Sequence, residues 1–175
     1  MSTSIFHLKA AVFQIIVILG LAIFSLPTSA QSGAVPYDLP DFTFYGLDDD
    51  KALTKKQLPL SDKIVLIFFD PSCRYCQEEA VIIGKNLALF KNTSFYFVSM
   101  QDKHLLKVFR DTHGKQLKGK QNVHFLHDTR FEFMGKFNPL EYPSMFVYSK
   151  EKKLLQYLHG NISLDRIKTA LGVAL

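Results

Sequence analysis

Hydrophobic and polar residues alternate with three different rhythms along this chain. Ala10 to Leu26 is almost unbroken apolar sequence, interrupted only by Gln14, Gly20 and Ser25. Residues 31–38 are small and polar, rich in Ser, Gly and Pro, and read as a linker. Short solid apolar runs then alternate with helical stripes. Ile64–Phe69 is wholly apolar, as in a central strand buried on both faces, and Phe95–Met100, broken only by Ser99, reads as a second core strand.

Between and after these strands the period is helical. Ala80, Ile83, Leu87 and Phe90 share one stripe of a helix expected over Arg74 to Lys91. Lys103 to Asp111 turns Leu105, Leu106 and Phe109 inward and stops at His113-Gly114. Val123–Leu126 is a short strand. Thr129 with Glu132 makes a candidate capping box for a helix reaching Phe137. Met145–Tyr148 and Leu154–Leu158 flank the polar turn Ser149–Lys152 as a hairpin. Ser163 caps a last helix carrying Leu164, Ile167 and Leu171. Upstream, residues 40–45 read as a short strand, Asp48–Lys51 as a turn and residues 54–60 as a connector. This order predicts one α/β domain, residues 39–175, with a mixed sheet covered by helices and no internal repeat.

The apolar N-terminal run changes the setting. Polar residues precede it, and Pro27-Thr28-Ser29-Ala30 follow with small side chains. Residues 1–30 therefore have the layout of a secretory signal peptide cleaved after Ala30. The run of about 17 residues is also at the lower limit for an uncleaved membrane anchor. Both place the domain outside the cytoplasm, on the periplasmic or another extracytoplasmic face. The 175-residue chain carries 21 basic and 16 acidic residues, a net charge of +5. The basic residues are dispersed, which argues against nucleic acid as a partner.

The candidate chemistry lies where the first core strand ends. Phe69-Asp70-Pro71-Ser72 leads into Cys73-Arg74-Tyr75-Cys76, and these are the only two cysteines. A thiol at a helix N-terminus faces unpaired N–H groups and the positive end of the helix dipole, which favours its thiolate. Cys76 is close enough to close a disulfide onto Cys73. As a structural staple that bridge would be poor, because so small a loop removes little unfolded-chain entropy. A reversible dithiol/disulfide pair accounts for the spacing better. The helix start exposes its first residue and shields those behind it, so Cys73 is expected to be accessible and Cys76 covered.

Strand, Cys73-Arg74-Tyr75-Cys76, long helix, βαβ crossover, Tyr142-Pro143, hairpin and terminal helix together resemble the thioredoxin superfamily. Leu39-Pro40-Asp41-Phe42-Thr43 and Leu60-Ser61-Asp62-Lys63-Ile64-Val65-Leu66 resemble its exported TlpA-like, redoxin-type thiol-disulfide oxidoreductases. The resemblance spans roughly residues 35–171. It implies a thioredoxin-like three-layer sandwich with an N-terminal strand extension. It also implies Cys73 as nucleophile and Cys76 as the resolving thiol. Arg74 and Tyr75 become tuners of the redox potential, and Tyr142 with a cis Pro143 a platform for the substrate chain. No metal or separate cofactor is implied beyond the Cys73–Cys76 disulfide. The partners are protein thiols and disulfides and an unidentified redox partner, and the protein is expected to be a monomer.

The chain departs from the family pattern in places. Ser72 stands where many members carry Trp, and Ile67 where thioredoxins carry a buried acid. Proton transfer at Cys76 must then use water, Asp70 or a glutamate. Arg74 adds a positive charge expected to favour the Cys73 thiolate and a more oxidising disulfide. Two alternatives stay open. A thiol peroxidase would resemble related redoxins, but Asp70 and Leu66 occupy the positions of their Thr and Pro. A copper metallochaperone would pair the two thiols with a histidine among His104, His113, His124, His127 and His159. A c-type haem is excluded because Gln77 follows Cys76.

Overall fold

The computed structural model describes residues 33–174. The signal-peptide or anchor segment lies outside these residues. From Ala34 onward the chain forms one compact unit. Its elements are β1 (Thr43–Gly46), β2 (Ala52–Thr54), β3 (Lys63–Phe68), α1 (Arg74–Lys85), β4 (Thr93–Ser99), α2 (Lys103–Thr112), β5 (Val123–His127), α3 (Glu132–Phe137), β6 (Ser144–Ser149), β7 (Leu154–His159) and α4 (Leu164–Ala170).

The strands make one sheet in the order β2-β1-β5-β4-β3-β6-β7. β3, β4 and β5 are parallel, joined by helical crossovers, and β6 and β7 close the sheet antiparallel. Alternate side chains of each strand enter opposite layers, so two cores form. Val65, Ile67, Phe95, Phe97, Met145 and Val147 meet Ala80, Ile83, Leu106, Phe109 and Ile167 from α1, α2 and α4. Leu66, Phe68, Tyr96, Phe146 and Tyr148 meet Phe133 and Phe137 of α3 and the N-terminal residues Leu39, Phe42 and Phe44. Phenyl rings fill this second layer: Phe68 stacks on Phe133 at 4.5 Å and Phe133 on Phe137 at 4.2 Å. The three-layer α/β architecture is the expected one.

Three local expectations are corrected. The N-terminal strand is shifted to Thr43–Gly46 and pairs through a tight turn with β2, which the sequence pattern did not reveal. The first helix ends at Lys85 instead of Lys91. Asn86 takes a non-helical conformation there and its side-chain amide donates to the Ile82 carbonyl, while Leu87–Leu89 continue as a 3₁₀ turn. The expected Thr129 cap of α3 is replaced by Asp128. That buried carboxylate accepts from the backbone N–H of Glu132 at 3.0 Å and of Phe133 at 2.8 Å. Phe131, between them, sits in the left-handed region at φ 56°.

The register places the cysteines. β3 pairs with β6 so that Phe68 faces Ser144 and Lys63 faces Ser149. Pro143 is thereby set beside the chain leaving β3 for Cys73. The opposite end of the sheet holds the starts of β3, β4 and β5 and the β6–β7 turn. The N-terminal arm reaches this same end, where Leu39 N–H donates to Lys152 and Leu154 N–H to Tyr37.

Candidate active site

Asp70 shapes the turn between β3 and α1. One carboxylate oxygen accepts from Ser72 N–H at 2.8 Å and Ser72 Oγ at 2.6 Å, and the other from Gln101 Nε2 at 2.8 Å. The Asp70 carbonyl accepts from Cys73 N–H at 3.1 Å. Cys73 becomes the N-cap residue of α1, with φ −72° and ψ 120°, and Gln77 N–H closes the first helical bond onto its carbonyl. The first core strand thus delivers one thiol to a helix N-terminus, and α1 carries the second a turn later.

The two thiols differ sharply. Both are free, Cys73 half-buried and Cys76 only 1% exposed. The Cys73 Sγ lies 3.8 Å from the Tyr142 carbonyl oxygen. Burial pushes the Cys76 thiol strongly up, and its hydrogen bond with Cys73 and the nearby Cys73 and Glu79 charges add to this. Cys76 is therefore a covered, neutral thiol.

Tyr142 and Pro143 close the other side. Their peptide bond is cis. The Tyr142 ring packs on Phe68 at 4.9 Å. Burial raises the pKa of its phenol, and so do the charges of Asp70, Cys76 and Cys73, placing the hydroxyl in the field of both sulfurs. The loop is tied at several points. Ser144 Oγ donates to the Glu141 carbonyl at 2.6 Å, and Tyr157 Oη accepts from Leu140 N–H at 2.8 Å. Gly160 N–H donates to the Pro143 carbonyl at 3.0 Å. Gly160 has φ 70°, a left-handed conformation that favours glycine.

Arg74 and Tyr75, between the cysteines, are exposed. The Arg74 side chain is 85% exposed and its Nε donates to Glu78 at 2.8 Å, so a carboxylate one turn along the helix pairs its charge. Tyr75 presents an open ring. The five candidate histidines are not gathered around the thiols: His124 stacks on Tyr96 at 5.0 Å, and His159 pairs with Glu141 at 2.6 Å. Among the described residues no group of three or more His, Cys, Asp or Glu is arranged to hold a metal ion.

Glu79 is the residue that sequence reasoning did not single out. It lies three positions after Cys76, is 1% exposed, and neither carboxylate oxygen has a hydrogen-bond partner among the described residues. Burial pushes its pKa up to about 8. The available signal was its place on the helical stripe: Cys76, Glu79, Ala80 and Ile83 form the buried face of α1. A carboxylate near a helix start reads instead as a surface group complementing the dipole.

No protein-family model and no curated protein matches the chain. Solved structures do. Mycobacterium tuberculosis DsbF, solved in mixed oxidised and reduced forms, is similar with 22% identity over 79% of this chain and 98% of its own, at a TM-score of 0.65. A secreted M. tuberculosis disulfide oxidoreductase homologous to E. coli DsbE is similar with 18% identity over 75% and 94%, at 0.62. A peroxiredoxin-like protein from Aquifex aeolicus is similar with 18% identity over 79% and 85%, at 0.62. These likenesses give the chain a thioredoxin-like fold.

Proposed function

We propose that this protein is an extracytoplasmic thiol-disulfide oxidoreductase that exchanges disulfides with protein substrates through Cys73 and Cys76. One observation carries the reading. A half-exposed thiol caps a helix 3.8 Å from the carbonyl that precedes Pro143, with a buried second thiol in the next turn. The names of the similar oxidoreductase structures and the apolar Ala10–Leu26 run support it.

The chemistry follows from the asymmetry of the thiols. Cys73, half-buried at the start of α1, is the accessible thiol and the nucleophile. Its thiolate attacks one sulfur of a substrate disulfide. A mixed disulfide forms, the substrate S–S bond breaks, and the other substrate sulfur leaves as thiolate and takes a proton. Cys76 then loses its proton and attacks the Cys73 sulfur. The second substrate sulfur leaves, and the Cys73–Cys76 disulfide remains. Two electrons and two protons pass from the protein to the substrate, and the reverse sequence oxidises a substrate dithiol.

Cys76 requires a base, because burial holds its thiol neutral. Glu79 meets this need. Its carboxyl titrates near 8, so it accepts or returns a proton close to neutral pH, and it lies on the same covered helix face. Tyr142 and Pro143 form the platform for the partner chain. Arg74 has a smaller tuning effect than its charge suggests, because Glu78 pairs it at the surface. The disulfide is the only redox group the reaction requires.

The test is an exchange assay with a protein disulfide, combined with equilibration of the Cys73/Cys76 couple against glutathione. Turnover that disappears in Cys73→Ser supports the reading, and the potential assigns direction. Undiminished turnover in that variant, or none in the native protein, overturns it.

A further inference from the structure

The end of the domain opposite the dithiol has a distinct surface. Lys91 and Lys120 stand in the turns before β4 and β5, and Lys85 ends α1. All three are exposed, and none forms an ion pair among the described residues. Leu60 lies at the same end, just before β3, and is 95% exposed, while Leu89 is also open. Lys91 and Lys120 line a cavity of about 570 Å³ together with Ser61, Leu87, Ser94 and Asn122. The carboxylates at this end are engaged or few: Asp62 accepts from Asn92 at 3.1 Å, and Asp38 pairs with Lys153.

We infer that this end of the domain rests on an anionic phospholipid surface. Unpaired lysines interleaved with solvent-facing leucines suit a bilayer interface, where the amines meet phosphate and the leucines enter the acyl boundary. The cavity offers hydroxyl and amide groups beside two lysines, a fit for a phosphate headgroup. The position of the N-terminal arm is an independent argument. Residues 37–39 are hydrogen-bonded to the β6–β7 turn at this same end. The apolar Ala10–Leu26 run ends eight residues before Ala34, a span of at most about 28 Å. A retained apolar run in a bilayer holds this face within reach of the headgroups. Cys73, at the other end of β3, then points away from the lipid toward soluble partners. The inference stands apart from the thiol chemistry, since it concerns the opposite end of the fold.

Lysine footprinting on the full chain tests it. The protein is reconstituted in nanodiscs of phosphatidylcholine alone, or with about one third phosphatidylglycerol, and its amines are acetylated and mapped by mass spectrometry. We expect acetylation of Lys85, Lys91 and Lys120 to fall at least threefold in the anionic discs, with Lys51 and Lys136 unchanged. High salt should erase the difference by screening the charges. Equal labelling in both discs overturns the inference. So does protection by an added acidic protein or DNA without protection by anionic lipid. Protein-disulfide exchange measured in the same discs reports separately on the dithiol, so failure of one reading is distinguishable from failure of the other.

Discussion

Cys76 and Glu79 lie one helical turn apart on the covered face of α1, and burial raises the pKa of both. A buried carboxyl without a hydrogen-bond partner is costly unless it stays protonated. Here that cost coincides with the position where a covered thiol must give up a proton.

The Glu79 carboxyl makes stability depend on pH in a defined direction. Its folded pKa of about 8 lies above the ordinary value of 4.5, so between these values the folded state holds the extra proton. Stability is full below about pH 4.5, falls between there and about pH 8 by up to about 5 kcal/mol, and is level above that. Glu79→Gln should remove this fall, as read by urea denaturation of the reduced protein at pH 5, 7 and 9. A native protein equally stable at pH 5 and 9 would contradict the assignment.

The same substitution should slow resolution and spare attack. Glu79→Gln is expected to lower the rate of Cys76 closure onto a mixed disulfide by about ten- to hundredfold. Single-turnover kinetics should show the mixed disulfide accumulating while its formation keeps the native rate. Equal slowing of both steps would point to a distorted site.

Thiol labelling should follow burial. Limiting iodoacetamide at pH 7 is expected to modify Cys73 at least tenfold faster than Cys76, because Cys76 is covered and its thiol is held neutral. Cys76→Ser should trap mixed disulfides with protein substrates. Peptide mapping of the adduct checks the order, and preferential labelling of Cys76 would reverse the roles.

Tyr142→Ala removes a ring that packs on Phe68 beside the dithiol. The half-buried contact is worth about 1–2 kcal/mol. Exchange with protein disulfides should fall several-fold more than exchange with a small disulfide, since the thiols remain and the platform does not. Parallel assays of the two substrates provide the measurement.

Asp128→Ala should destabilise the fold by about 2 kcal/mol, because two N–H groups at the start of α3 lose their acceptor. Phe131→Gly should act in the opposite sense. Phe131 is 63% exposed at φ 56°, a conformation that penalises a side chain but not glycine, so a gain of about 0.5 kcal/mol is expected. Phe131→Ala, which keeps the penalty, should show no gain. Chemical denaturation of the three variants decides both points.

Much of this protein is written in local pattern. The apolar runs at Ile64–Phe69 and Phe95–Val98, the helical stripe through Ala80 and Ile83, and two cysteines at a strand-to-helix turn are properties of adjacent residues. Side-chain period and helix-end electrostatics make them legible without a partner. What remained hidden depends on neighbours distant in the chain. β2 is set by its pairing with β1 through the tight turn between them, and the sequence pattern of Ala52–Thr54 does not announce it. Asp128 caps α3 because the chain after β5 passes through a left-handed residue, which Phe does not advertise. Glu79 reads as a surface carboxylate until α1 packs its face against the sheet. Tyr142 reaches Cys73 only because β6 pairs with β3 in one register, and a slip of one residue would turn every side chain to the other layer. Period is a local property of the chain; burial and register are decided by what packs across it.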